Sequence, residues 1–466
     1  MKKHNIFKVV SITILVAVLL TWVLDSTYFS GELINNGKLQ VGLFDLFSYF
    51  SAILSYFGYI PLYILAVGGF YGVLYKTNGY RNLLDKIVDK YSGNEWIFLT
   101  IIMILFAVIT SVAGLSLGLF FMFPFVITVI LLMGYSKITA LLTTVGSICV
   151  GLIGTTYSVT ETSVINSYLN LPAANELIVK IILLVIGLVL LIVNTLLYAR
   201  KHRINSPRKG FLYPETNNEH AKTWPIVLVF DFVLLIMILS FMSWNGAFEV
   251  TLFDELLKSI NEFTIGKDEG FAIFSKILGT SISAFGNWTL TELSILLFIA
   301  SGFVALLNKV SFNDMVSGFG AGAKKALKPA FMVSILYVLV FVSAYHPYTL
   351  TITKPILDLT KTLNVVTMSA AASISHLFNV ELYYSASSIL SYVTATFTDT
   401  SLYGIIAVIW QATYGLVMLF VPTSAILVAG LSYLNVSYFK WLKAIWKLLL
   451  QLIVVLLVVF LILTVI

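Results

Sequence analysis

Gly154-Thr155-Thr156-Tyr157-Ser158-Val159-Thr160-Glu161-Thr162-Ser163 interrupts an otherwise apolar run, residues 137–169. A continuous helix over that run would be about 50 Å long, well beyond the ~30 Å hydrocarbon core of a bilayer. Hydroxyl side chains and a carboxylate at its centre therefore read as a break in the helix. A second long run, 401–433, is interrupted by Val421-Pro422-Thr423-Ser424, preceded by Gln411, Thr413 and Gly415. Proline removes a backbone hydrogen bond and stops the helix there. Discontinuous helices of this kind are where secondary transporters place substrate and ions. The two stretches thus point to an all-α polytopic membrane protein, and the rest of the chain is consistent with that reading.

Of the 466 residues, 59% are hydrophobic and 11% are charged, against roughly 25% charged in a soluble chain. That excludes a soluble enzyme and a disordered protein. The single Cys149 excludes a disulfide framework and a cysteine metal cluster. Five histidines without paired spacing give no structural zinc site. Spans are expected at 7–24, 58–75, 137–169, 177–199, 225–244, 288–307, 329–345, 401–433 and 448–466. Lys2, Lys3 and Lys8 precede an apolar run without a small-x-small cleavage site, so 7–24 reads as a retained span rather than a signal peptide.

With the N-terminus inside, 21 of the 28 Lys and Arg residues fall on the inside and 7 outside. Lys2, Lys3, Arg200, Lys201, Arg208, Lys209, Lys324, Lys325, Lys328, Lys440 and Lys443 are among the inside residues; Lys180, Lys267 and Lys361 are among those outside. This three-to-one bias favours an N-terminus on the inside. It also accounts for the net charge of +6 without nucleic acid. The segment 245–287 is then outside and acidic, with Asp254, Glu255, Glu262, Asp268 and Glu269. Trp22, Trp96, Trp224 and Trp244 fall near span ends, as interfacial anchors do.

Two further apolar stretches, 97–134 and 364–399, read as re-entrant hairpins. The turn of the first, Thr110-Ser111-Val112-Ala113-Gly114-Leu115-Ser116-Leu117-Gly118, has small residues and no charge. Irregular backbone at membrane depth is tolerated only where it is buried in protein or faces a water cavity. The second is centred on His376–Ser388, with Asn379, Glu381 and Ser385. The order span, span, hairpin, broken span, span then occurs twice, in 1–199 and in 288–466. The linker 200–287 with its span 225–244 inverts the second copy. Gly146 with Gly415, Thr162-Ser163 with Thr423-Ser424, and Leu169-Asn170 with Leu434-Asn435 match at similar offsets. An inverted repeat of about five elements each is the architecture of an alternating-access transporter.

The intramembrane carboxylates carry the chemistry. Glu161 lies in the first break, with hydroxyl neighbours expected at Ser158 and Thr162. Glu381 lies at the second hairpin tip. A buried carboxylate needs a proton or a cationic partner, and no lysine or arginine is expected at that depth in either site. Sodium near Glu161, a proton or a cationic substrate would supply the charge; no other metal and no cofactor is implied. Asp231 is expected to cap or pack the connecting span, and Glu292 to sit in a first helical turn. His376 reads as a polar packing residue.

Pro422-Thr423-Ser424-Ala425 and Tyr438-Phe439-Lys440-Trp441-Leu442-Lys443, with support from 79–91 and 312–329, make the chain resemble the bacterial anaerobic C4-dicarboxylate carrier family. It looks most like the YfcC-like branch, labelled as basic amino-acid antiporters, within the ion transporter superfamily. The resemblance implies a homodimer in which two hairpins and two broken helices move as an elevator against a fixed scaffold. The breaks and hairpin tips themselves give the expected substrate and ion site: Gly114, Ser116, Thr155, Thr156, Ser158, Glu161, Thr162, Asn379, Glu381, Ser385, Pro422, Thr423 and Ser424. The chain departs from the branch in lacking a carboxylate at the first tip, in having Tyr157-Ser158 where an Asn-Pro is expected, and in having Tyr384-Ser385-Ala386-Ser387-Ser388 in place of a Ser-Gly run.

The residues favour a secondary active transporter in a bacterial cytoplasmic membrane. Its substrate is a small amino-acid-like metabolite, basic in one version, whose carboxylate would meet half-helix N-termini and whose ammonium would meet a glutamate. The alternative is a sodium- or proton-coupled C4-dicarboxylate carrier. A channel would need a filter or a polar pore stripe. An intramembrane enzyme would need a nucleophile facing a base, and adjacent Ser375-His376 do not face each other on a helix.

Overall fold

The computed structural model describes residues 6–204, 214, 221–265, 271–279, 282–360 and 362–465. Lys2, Lys3, Arg208, Lys209, Lys267, Lys361, Asp268 and Glu269, which enter the charge reading, lie outside the described residues.

The chain begins with α1 (Ile6–Val23), then a small antiparallel hairpin of β1 (Thr27–Ser30) and β2 (Glu32–Asn35). Next come α2 (Leu43–Tyr56) and α3 (Tyr59–Leu74), which meet at 62°. α4 (Asn78–Lys90) is short and amphipathic. α5 (Glu95–Ala113) ends at Gly114, whose φ of 70° is left-handed. The chain returns through a 3₁₀ turn, Leu117–Met122, and α6 (Phe123–Leu132). With 19 residues, the first arm of this expected hairpin is itself long enough to cross a membrane.

The first long run then divides. α7 (Lys137–Leu141), a π turn (Leu142–Gly146) and α8 (Ser147–Ile153) are continuous; residues 154–161 are not helical; α9 (Thr162–Leu169) follows. α10 (Leu177–Lys201) and α11 (Trp224–Phe241) are spans. Between α11 and the next span lie α12 (Trp244–Phe248), α13 (Leu252–Glu262) and α14 (Ile273–Leu278).

The second half has α15 (Leu290–Leu307), α16 (Phe312–Leu336), α17 (Val338–Tyr345), α18 (Thr349–Leu357), α19 (Val365–Phe378) and α20 (Leu382–Thr396). α21 (Tyr403–Met418), a break, α22 (Ala425–Leu434) and α23 (Tyr438–Leu463) complete it. Among the described residues eight helices are long and apolar enough to cross a membrane, and the bent pair α2–α3 makes a ninth. The protein is an all-α, multi-pass membrane protein apart from its small β hairpin.

Two helix limits differ from the sequence reading. The span expected from 329 begins at Phe312 and carries Pro329 inside it. The last span begins at Tyr438 rather than 448. The reason for the first is packing. Gly68 and Gly72 of α3 face Gly318 and Gly322 of α16, so closely that a methyl group on Gly72 would lie 2.1 Å from the Gly318 carbonyl oxygen. Small residues four apart let two backbones touch, which favours one long helix over two short ones.

The two broken helices cross each other by the same means. A methyl group on Gly415 of α21 would lie 2.3 Å from the Ile153 nitrogen at the end of α8. α9 and α22 also stop in the same way. Asn170 (φ 55°, ψ 45°) and Asn435 (φ 51°, ψ 45°) are left-handed caps. Leu171 N donates to Asn166 O and Val436 N to Leu431 O, each at 3.0 Å. Asparagine tolerates this conformation better than other side-chain-bearing residues.

Candidate functional site

The turns that follow α5 and α19, where hairpin tips were expected, and both helix breaks converge on one cavity of about 400 Å³. Gly114, Ser116 and Gly118 come from the first tip, Thr160 and Glu161 from the first break. Val380, Glu381 and Tyr383 come from the second tip, Ser424 and Ala425 from the second break. The remaining wall includes Tyr59, Tyr337, Tyr414, Phe241, Trp288 and Thr289. Of the residues expected from sequence, Gly114, Ser116, Glu161, Glu381 and Ser424 line this space.

Glu161 is 5% exposed. Its Oε2 accepts from the Ser158 hydroxyl and, at 2.5 Å, from the Thr160 hydroxyl. The Glu161 backbone N–H donates to Ser158 Oγ at 3.1 Å. Thr162, expected as a second hydroxyl neighbour, does not bond the carboxylate: its Oγ1 is buried and has no hydrogen-bond partner among the described residues. In the irregular backbone of the break the adjacent Thr160 reaches the carboxylate instead.

Thr155 and Thr156 act in the frame rather than in the cavity wall. Thr156 N–H and both threonine hydroxyls donate to the Ser111 carbonyl, at 2.8, 3.2 and 3.1 Å. Ser111 Oγ donates back to Gly154 O at 2.7 Å. Gln411 Nε2 donates to Thr155 O at 2.6 Å, which ties the second broken helix to the first break. A break frees backbone carbonyls, and these bonds satisfy them where water is absent.

At the second tip, Glu381 Oε1 accepts from the Tyr337 hydroxyl at 2.7 Å. Asn379 and Ser385 sit behind it. Asn379 Nδ2 donates to Ser375 O at 2.9 Å and closes α19. Ser385 Oγ lies 2.9 Å from His376 Nδ1, and His376 Nε2 lies 3.0 Å from Trp410 O. A carbonyl only accepts, so Nε2 carries the hydrogen. Fully buried and away from the cavity, His376 joins the hairpin to α21. In the second break Ser424 Oγ caps α22 by accepting from Leu427 N at 3.4 Å. Thr423 Oγ1 is buried without a hydrogen-bond partner among the described residues, and Pro422 is half-buried outside the cavity lining.

Glu292 Oε2 accepts from Thr289 N and Oγ1, both at 2.7 Å, in the first turn of α15. Asp231, expected to cap or pack, is instead exposed on α11, because α11 turns its opposite face, with Phe230 and Val233, into the core. Lys180, expected outside, is buried on α10 with no hydrogen-bond partner for Nζ among the described residues.

Sequence reasoning missed Thr160, Tyr59, Tyr337, Tyr414 and Trp288. Thr160 was inside the quoted break and was recoverable. The aromatic residues were not, because an aromatic in an apolar span is usually core or lipid-facing, and their approach to Glu381 is long-range.

A multi-pass helical protein with two helix breaks and two interhelical turns around one cavity belongs to the class of membrane transporters. The chain is a member of the DcuC family, the C4-dicarboxylate anaerobic carriers, whose family model matches residues 54–465. No curated protein matches it. Among solved structures it is similar to the YdaH transporter of Alcanivorax borkumensis, at 15% identity over 97% of this chain and 98% of that one, with a TM-score of 0.43. It is also similar to MtrF of Neisseria gonorrhoeae, described with a class of antimetabolite efflux pumps, at 10% identity over 98% and 94% of the two chains and a TM-score of 0.39.

Proposed function

We propose that this chain is a secondary active carrier for a small amine-bearing metabolite, an amino acid or similar compound, driven by ion coupling or exchange. The observation that carries this reading is the charge of the cavity wall: among the described residues it holds two glutamates and no lysine or arginine. Each carboxylate uses one oxygen in the hydrogen bonds described above. An ammonium group would pair with the other, and the rings of Tyr59, Tyr337, Tyr414 and Trp288 offer faces for a cation. A zwitterion's carboxylate would lie at the N-terminal end of α22, beside Ser424.

A second reading is favoured by the family, whose description names C4-dicarboxylates. In that reading Glu161 and Glu381 hold coupling protons or sodium, and the dicarboxylate binds between them. Glu161, Ser158 and Thr160 present three oxygens to a hard cation.

The mechanism we propose is alternating access between two inverted halves, 1–199 and 288–466, in a bacterial cytoplasmic membrane with the N-terminus inside. The matching asparagine caps of α9 and α22 support the repeat. The hairpins and broken helices would move together against the tightly packed α3–α16 pair in a homodimer.

The test is thermal stabilisation of the purified protein by basic amino acids, neutral amino acids and C4-dicarboxylates, each with and without sodium. A ligand that binds only the folded protein raises its melting temperature. Stabilisation by lysine, ornithine or arginine that is lost in Glu381→Gln or Glu161→Gln supports the amine reading. Stabilisation by dicarboxylates alone, only with sodium, overturns it.

A further inference from the structure

α13 has one wholly apolar face. On a helical wheel Leu252, Phe253, Leu256, Leu257 and Ile260 fall within one 140° sector, and Asp254, Glu255, Lys258, Ser259, Asn261 and Glu262 fill the remainder. In a free-standing soluble loop such a face would be covered. Here Leu252 is 61% and Leu256 51% exposed. The exposed apolar surface continues onto Phe263, packed against Phe274 at 5.4 Å, and onto Ile277, which is 71% exposed.

The position of this face identifies what covers it. α13 lies between the end of α11 and the start of α15, and those two ends are adjacent, with Gly286 N donating to Ser240 O at 2.9 Å. Both spans turn exposed apolar stripes outward: Leu228, Phe232 and Leu235 on α11, and Ile295, Ile299 and Phe303 on α15. Trp244 and Trp288 stand at the two ends, their indole N–H groups donating to Leu239 O and Ser283 O. α13 is therefore tied at the level where the lipid-facing surface of two spans ends.

We infer that α13 lies in the plane of the membrane surface, with Leu252 and Leu256 in the acyl-chain boundary and its carboxylates toward water. The partner is the bilayer itself. With three acidic side chains and one lysine on the polar face, the attraction is apolar and does not call for anionic headgroups. The helix also bears on the transport cavity. Phe253 packs on Trp244 at 5.1 Å and on Phe285 at 5.4 Å, and Phe285 packs on Trp288, which lines the cavity, at 5.1 Å.

The experiment uses the full chain in proteoliposomes. Leu256→Cys and Glu255→Cys are each labelled with a bimane fluorophore; Cys149, fully buried, serves in the unsubstituted protein as the unlabelled control. Quenching is measured with chain-brominated phosphatidylcholine and with aqueous iodide. The expected result is at least threefold stronger bromolipid quenching at 256 than at 255, with the reverse order for iodide, and no change when a third of the lipid is made anionic. Equal iodide quenching at both positions would overturn the inference by placing the helix in water. Shielding of 256 from both quenchers would overturn it in favour of contact with a second copy of the chain.

Discussion

Gly114→Ala is the substitution that most sharply tests the placement of the first hairpin tip against the first break. Gly114 has φ 70°, and an L-residue there costs about 1–2 kcal/mol. The added methyl would lie 2.3 Å from Ser158 Oγ and 2.8 Å from Thr160 Oγ1, so at least one hydroxyl must shift. Ser158 is not free to turn away, because Oγ both donates to Glu161 and accepts from its backbone N–H. Losing one hydrogen bond to a charged group costs about 1.5–3 kcal/mol. Adding the backbone strain gives about 2.5–5 kcal/mol, equivalent to a loss in affinity of about 70-fold or more if it falls on the bound state. The assay is the melting temperature of the purified variant, with and without the stabilising ligand. Gly302→Ala on α15, where an added methyl meets nothing within 4 Å, is the control and should be neutral. A Gly114→Ala protein with wild-type melting and a wild-type ligand shift would refute the tip-to-break contact.

Tyr337→Phe removes the donor to Glu381 Oε1 and should weaken ligand binding about tenfold or more without unfolding the protein; ligand-shift titration reads this. Gln411→Leu leaves the Thr155 carbonyl without its side-chain donor and should cost about 1–3 kcal/mol, seen as a lower melting temperature. Gly322→Val would push side-chain atoms into the α3 backbone and should abolish the folded, monodisperse protein on size exclusion. At Asp358 burial raises the carboxyl pKa, but the hydrogen bonds from Lys354 and Tyr392 outweigh it and hold it below the usual range. Its contribution is therefore present at neutral pH and is lost as pH falls through that lowered value. Asp358→Asn should flatten the acid side of the stability profile slightly, as befits a pair about one third exposed.

The two helix breaks were legible because hydroxyls, proline and a carboxylate have no reason to cluster inside an apolar run unless the backbone is interrupted there. The end of α5 was legible too, from the small uncharged residues around Gly114. What was not legible depended on contacts across the chain. Tyr337 lies 44 positions from Glu381, and nothing in the local pattern around either residue signals their hydrogen bond. The early start of α16 had a readable signal in Gly68-x-x-x-Gly72 and Gly318-x-x-x-Gly322, a spacing that favours close helix contact. Thr160 rather than Thr162 reaches Glu161 because the irregular backbone of the break directs its hydroxyl at the carboxylate. The β hairpin at 27–35 and the bend between α2 and α3 left only weak traces in a region read as a loop.

Counterflow in proteoliposomes tests the central claim most directly. Vesicles are loaded with unlabelled lysine, ornithine, arginine, neutral amino acids or succinate, and entry of the same radiolabelled compound is followed. The account predicts saturable, accelerated entry for an amine-bearing compound, abolished in Glu381→Gln. Accelerated entry of succinate alone, dependent on sodium or a proton gradient, would contradict it and assign both glutamates to the coupling cations.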